Sequence, residues 1–248
     1  MLVLKMQKRI FGLLFACMMV SSHPVIAATQ VALQKSPNQV CDQASLQRGA
    51  KLYVNYCQSC HAMRYVRYQT MAKDIGIVDE NGKVLEAVVK TNLNFISDSV
   101  FDSMTNGMLP KDGAKWFGVT PPDLTLETRV RGTDWVYTYL KSFYVDPSRP
   151  WGVNNTVFPS VAMPHVLLEL QGEQVLDPKT HQLTLAKPGK LSAQEYDQVV
   201  TDLVNFLDYS AEPIKLKREK MGIGVMIFLV IFLMFAYLLK REYWKDVH

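Results

Sequence analysis

Apolar residues recur at helical spacing in three stretches of the chain. From Ala44 to Tyr56, Leu46, Ala50, Tyr53 and Val54 fall on one face, which predicts an amphipathic helix. Ser192 and Glu195 form a capping box ahead of Ala193 to Tyr209, where Tyr196, Val199, Val200, Leu203, Phe206 and Leu207 are apolar and Pro213 follows the end. A third helix is expected from Asp134 to Phe143, with Thr133 as its cap. A fourth pattern has no polar face at all. Met221 to Leu239 is a run of 19 residues without a charge, bounded by Lys220 and by Lys240-Arg241. At 1.5 Å per residue it reaches roughly 29 Å, about one bilayer core. Tyr237, Tyr243 and Trp244 lie near its end, where amphipathic rings favour the membrane interface. The run is expected to span a membrane.

The 248 residues suit one medium domain with extra segments at its ends. Lys5, Lys8 and Arg9, then the apolar Ile10 to Val20, then Val25 and Ala27 have the order of a secretory signal, with cleavage expected after Ala27. This divides the chain into a signal peptide (1–27), an exported domain (28–211), a basic linker (212–220), the spanning helix (221–239) and a tail (240–248). Export of the N-terminus places the domain outside and the tail in the cytoplasm. Basic residues flank both ends of the span, so charge asymmetry does not decide its orientation. The net charge of +4 is misleading: Ala28 to Ala211 holds 17 Lys/Arg against 19 Asp/Glu, and the basic excess lies in targeting and membrane-flanking positions. No nucleic-acid surface is expected.

Of four cysteines, Cys17 leaves with the signal and Cys41 has no evident partner. Cys57 and Cys60 stand in Cys57-Gln58-Ser59-Cys60-His61. Two thiols three apart can each add to a vinyl group on one edge of a haem, and the following His falls beneath the iron as an axial ligand. A redox dithiol of thioredoxin type needs a βαβ context with a helix starting at the first Cys, whereas here a helix precedes the motif. A zinc site lacks a second Cys/His pair at suitable spacing. For the other axial position the exported domain offers His165, His181, Met63, Met71, Met104, Met108 and Met163. Met63 is too near His61 to reach the opposite face. Met163 sits in an extended segment between Pro159 and Pro164, which fixes backbone direction. Chain position and local rigidity favour Met163 and leave His165 as the alternative.

The ordered set of motifs resembles the cytochrome c1 family, the haem c subunits of ubiquinol–cytochrome c reductase (bc1) complexes of bacterial type. It comprises Cys57 to His61, Pro121-Pro122-Asp123-Leu124, Gly132-Thr133-Asp134-Trp135-Val136-Tyr137, Phe158-Pro159 leading to Ala162-Met163-Pro164, and Ala211-Glu212-Pro213 before the basic stretch and anchor. The resemblance implies a mainly α fold: a class I cytochrome c-like haem domain with long loops, in which Gly49 lets the first helix cross the last closely, plus one C-terminal transmembrane helix. It implies one covalent haem c on Cys57, Cys60 and His61, with Met163 as the second axial ligand. Arg129 is implied to pair with a haem propionate, Trp135 to lie near a propionate, and Pro121 and Pro122 to line the pocket. Residues from about Tyr65 to Lys115 and His165 to Pro188 match the family less clearly and are expected as peripheral loops. The function implied is electron transfer, without catalysis by the chain alone, from a Rieske iron–sulfur protein to a cytochrome c acceptor. The chain would work beside cytochrome b and membrane lipid within a dimeric complex in the bacterial cytoplasmic membrane, with its haem domain in the periplasm. A free-standing membrane-tethered shuttle and a haem sensor or peroxidase with an open sixth site are the rival readings.

Overall fold

The computed structural model describes residues 32–245, and the expected signal segment lies outside them. Asp42 opens helix α1 (Gln43–Leu52) by accepting the Ser45 amide proton, satisfying one of the free donors of the first turn. The helix runs on into a π-helical turn, Tyr53–Cys57, that ends on the first thiol of the motif. Then come β1 (Met63–Arg67), α2 (Tyr68–Asp74), α3 (Glu86–Asn92), β2 (Ser103–Met104), α4 (Pro110–Phe117), α5 (Glu127–Arg131) and α6 (Thr133–Lys141). The second half carries β3 (Phe143–Val145), β4 (Val153–Asn155), α7 (Leu168–Gln171), β5 (Gly172–Leu176), β6 (Leu183–Pro188), α8 (Ala193–Ala211) and α9 (Lys215–Tyr243). Strands pair only as antiparallel two-stranded ribbons, β1 with β2, β3 with β4 and β5 with β6. The fold is mainly α, with about half of the described residues helical.

The core is organised by the crossing of α1 and α8. Leu46, Ala50, Tyr53, Val200, Leu203 and Phe206 are each 3% exposed or less and belong to one apolar cluster. Gly49 is the contact point, where an added Cβ would lie 2.1 Å from the Asp202 carbonyl oxygen. A polar seam locks the register. Asp202, 2% exposed, accepts from Arg48 at 2.6 and 2.9 Å and from Ser45 Oγ at 2.7 Å, while Asn205 donates to Ser45 Oγ at 3.0 Å. A buried carboxylate is tolerable because each oxygen has a donor.

Three expectations about the elements need correction. Helix α6 is preceded by Gly132 at φ 89°, and Thr133 is already helical with no side-chain cap. That helix ends at Lys141, since Phe143 pairs with Asn155 in the β3–β4 ribbon. The stretch from Tyr65 to Lys115 is not a peripheral loop. It folds as α2, α3, β2 and most of α4, and it sends Met71, Ile75, Val89 and Met104, all fully buried, into the main core. From His165 to Pro188 the chain forms α7 and the β5–β6 ribbon, with Leu167 buried in the same core.

The capping box at Ser192 and Glu195 is present, with both side chains bonded to the opposite backbone amide. Replacing Ser192 with alanine is expected to lower stability by about 1 kcal/mol, the usual effect of losing such a cap. The Ser192 amide and hydroxyl hold the Glu195 carboxyl below its ordinary pKa. Its contribution is therefore complete above the unfolded pKa and is lost as pH falls through the folded one. The gap between thermal melts of wild type and Ser192→Ala should narrow on acidification, as the hydroxyl's bond to the carboxylate is lost while its bond from the Glu195 amide stays; a constant gap down to strongly acidic pH would contradict this.

Helix α9 begins inside the basic stretch, so the linker expected over 212–220 is helical from Lys215. Lys215 pairs with Asp208, in the last turn of α8, at 3.0 Å and Arg218 with Glu212, its C-cap. Its 29 residues reach roughly 44 Å, more than the ~30 Å hydrocarbon core. The apolar side chains from Met221 to Leu239 are exposed all round, as expected of a span facing lipid or other helices.

Candidate functional site

The π-helical turn leads into a tight turn in which the Cys60 and His61 amides both donate to the Cys57 carbonyl, at 3.1 and 2.9 Å. A π turn places one extra residue in the helical circuit and so re-aims the side chains beyond it. Two side chains from outside the motif and one from within it hold it in place. Tyr53 donates its hydroxyl to the His61 carbonyl at 2.7 Å, Asn106 donates to the Cys60 carbonyl, and Gln58, 2% exposed, donates to the Thr105 carbonyl at 3.0 Å. Cys57 and Cys60 are free and half-buried. Burial pushes the Cys57 thiol up to about 12. That shift runs opposite to the lowered pKa of a reactive redox thiol. Among the described residues there is also no cluster of His, Cys, Asp and Glu suited to a metal ion.

His61 Nδ1 lies 2.8 Å from the Pro122 carbonyl oxygen. A carbonyl can only accept, so the proton sits on Nδ1 and the Nε2 lone pair is left for a metal. Burial lowers the His61 pKa and keeps the ring neutral. The strap that supplies this carbonyl is itself fixed: Leu124 N donates to the Ala62 carbonyl and Arg64 N to Asp123 Oδ2, both at 2.9 Å. Pro121, with Cys60, Ala62, Asn106, Met108 and Thr120, lines a cavity of about 290 Å³.

A second cluster surrounds Met163. Its side chain is half-buried against Phe143, Val153 and Val161, and its sulfur accepts from the Tyr139 hydroxyl at 3.4 Å. Trp135 stacks on Tyr139 with centroids 5.0 Å apart and meets Phe158 edge-on at 6.3 Å. The Arg131 guanidinium lies 4.7 Å from the Trp135 ring centre and 5.6 Å from that of Phe158. The Glu212 carboxyl is held below its ordinary range chiefly by its hydrogen bond from Arg218, with Arg129 adding a weaker electrostatic effect. His165 stacks on Phe143 at 4.7 Å, and burial takes its pKa down to about 4. Met63, Met71 and Met104 are fully buried core residues, which leaves Met108 and Met163 as half-buried thioethers.

The structure therefore brings Cys57, Cys60, His61, Pro121 and Pro122 into one group, and Trp135 and Met163 into another. Sequence reasoning read Tyr53 only as a position on the apolar face of the first helix and passed over Asn106, Arg131 and Tyr139. Of these three, Tyr139 left a readable signal, an aromatic four residues after Trp135 and so on the same helical face. Two free thiols three apart, a neutral imidazole with its proton tied down and half-buried thioethers form the donor set of a c-type haem. The residues present fit that group.

The sequence profile of the Cytochrome C1 family matches residues 33–247. The chain belongs to the cytochrome c1 family. A cytochrome c1 of Allochromatium vinosum is 52% identical, over 84% of this chain and 86% of its own. A protein of Nitrosomonas europaea named as the gamma subunit of ammonia monooxygenase is 44% identical, over 88% of this chain and 90% of its own. A cytochrome c1 of Rhodospirillum rubrum is 26% identical over 83% of each chain. Cytochrome c1 proteins carry one covalent haem c and are electron-transfer subunits of the bc1 complex. Bacterial members are anchored by a C-terminal helix, and α9 is long and apolar enough to serve.

Proposed function

We propose that this chain accepts single electrons from a Rieske iron–sulfur protein and passes them to a cytochrome c acceptor, outside the bacterial cytoplasmic membrane. Haem c, when bound, supplies the one-electron couple. Cys57 and Cys60 would hold it covalently, and His61 Nε2 and the Met163 sulfur would serve as its iron ligands. Methionine ligation and a buried site favour the reduced state, which suits a late carrier. Pro121 and Pro122 would wall the pocket. Trp135 can donate a hydrogen bond to a propionate but cannot accept one. Arg129 is the partner implied by resemblance. Arg131, lying over the Trp135 ring and paired with Glu127 at 3.2 Å, is proposed as a second candidate for that role. The domain (28–211) would face the periplasm, with 221–239 crossing beside cytochrome b and lipid and 240–248 in the cytoplasm, within a dimeric complex.

The observation that carries the reading is the His61–Pro122 hydrogen bond beside two free thiols. The test is detergent purification through a C-terminal tag, with reduced-minus-oxidised spectra of wild type and Met163→Leu. Co-purification of b-type haem and an iron–sulfur protein is expected, together with loss of the methionine–iron charge-transfer band and a much lower potential in the variant. An unchanged variant spectrum would remove Met163 and leave Met108 and His165 to be tested. The relative named as a monooxygenase subunit supplies a second reading, in which this chain serves a monooxygenase. Co-purification of such an enzyme without b-type haem would favour it.

A further inference from the structure

The chain between β4 and Met163 has no regular structure, yet side chains tie its backbone at four points. Asn155, 1% exposed, accepts from the Val157 and Phe158 amides at 2.9 and 3.1 Å through one oxygen. Its amide nitrogen donates to the Tyr139 carbonyl at 2.8 Å. Tyr139 is the residue whose hydroxyl reaches the Met163 sulfur. Asn154 accepts from the Ser160 amide at 2.9 Å and donates to Asp146 Oδ2 at 2.9 Å, while Arg149 donates to the Ser160 carbonyl at 2.9 Å. Ser160 is thereby held at φ 63°, a left-handed conformation that a residue with a side chain adopts only when its surroundings impose it.

We infer that Asn154, Asn155 and Arg149 form a latch that holds the Met163 loop in its ligating conformation, so that they act as positioning residues for the iron's weaker ligand. The inference rests on the axial role proposed for Met163. A thioether competes poorly with other ligands, so the occupancy of its bond depends on how much loop freedom must be lost to make it. The latch removes that freedom beforehand. Asn155 also ties the start of the loop to α6, so the sulfur and the hydroxyl that faces it move as one piece. The β3–β4 ribbon supplies the base: Phe143 pairs with Asn155, Val145 with Val153, and the Asp146 amide donates to the Gly152 carbonyl at 2.9 Å.

The test is imidazole titration of the full-length ferric holoprotein in detergent, following the methionine–iron charge-transfer band, with amide hydrogen exchange over 157–160 as a second readout. Asn155→Ala removes three hydrogen bonds and is expected to strengthen imidazole binding about tenfold or more. Exchange over 157–160 should accelerate by a similar factor. Asn154→Ala and Arg149→Ala lie nearer the surface and should act in the same direction to a smaller extent. They decide the matter if Asn155→Ala fails to accumulate. Ser192→Ala, destabilising but remote, should leave imidazole affinity unchanged. If Met163→Leu abolishes the band while the latch variants bind imidazole as wild type does, the latch is wrong and the ligand stands. If Met163→Leu keeps the band, the ligand assignment fails first.

Discussion

A Gly49→Ala chain is expected to lose about 3 kcal/mol of stability, and Gly49→Leu to accumulate no folded haem protein. In an exposed helix the alanine change would gain nearly 1 kcal/mol, because glycine loses more backbone freedom on folding. Here contact reverses the sign. The added Cβ would lie 2.1 Å from the Asp202 carbonyl oxygen, 2.7 Å from Phe206 Cβ and 2.9 Å from the Asp202 carbonyl carbon. None of these atoms is the end of a flexible side chain. Relief requires α8 to move away from α1, and the seam resists that: Asp202 is bonded to Arg48 and Ser45, and Asn205 donates to the Gln39 carbonyl at 2.8 Å. Overpacking of this kind costs about 1–3 kcal/mol where neighbours can adjust, and little here can. Thermal unfolding of the detergent-solubilised holoprotein should show a midpoint lower by roughly 6–12 °C for alanine. A midpoint equal to or above wild type would mean that the helices part easily and that Gly49 is not the contact point.

The crossing was legible in the sequence because its signals are local and repeated. A capping box and a sustained helical stripe can each be read without knowing the partner, while the close crossing at Gly49 came from the family resemblance. The motif at Cys57 to His61 was legible for the same reason. Features that depend on a distant partner could not be read. Helices α2 and α3 have seven residues each, too short for a period to stand out, and their burial of Met71 and Val89 follows from packing. Thr133 looked like a cap, but the preceding glycine at positive φ takes the turn instead. Arg131 lies over the Trp135 ring, a neighbour four residues along that its spacing from Arg129 does not single out. Asn154-Asn155 reads as turn residues in sequence, and only the folded loop reveals them as acceptors for its amides.

Tyr53 joins the crossing to the site, and its truncation is the second large effect expected. The side chain is fully buried, packs against Phe206 with ring centres 5.8 Å apart, and donates to the His61 carbonyl at 2.7 Å. Burial raises the phenol pKa, so the hydroxyl stays a donor throughout the accessible pH range. Two contributions can be separated. Tyr53→Phe keeps the ring and removes only the hydrogen bond, at a cost of about 1 kcal/mol. Tyr53→Ala also opens a cavity between α1 and α8, and aromatic-to-alanine changes in cores cost about 3–5 kcal/mol. The phenylalanine variant should therefore attach haem normally and melt slightly early. The alanine variant should yield far less holoprotein, because the turn that presents His61 loses both its support and its tether. Haem staining and thermal melts of the two variants side by side decide the point. Equal losses would assign the whole effect to the hydroxyl, whereas no loss for alanine would show that the turn is held by Asn106 and the Pro122 strap alone.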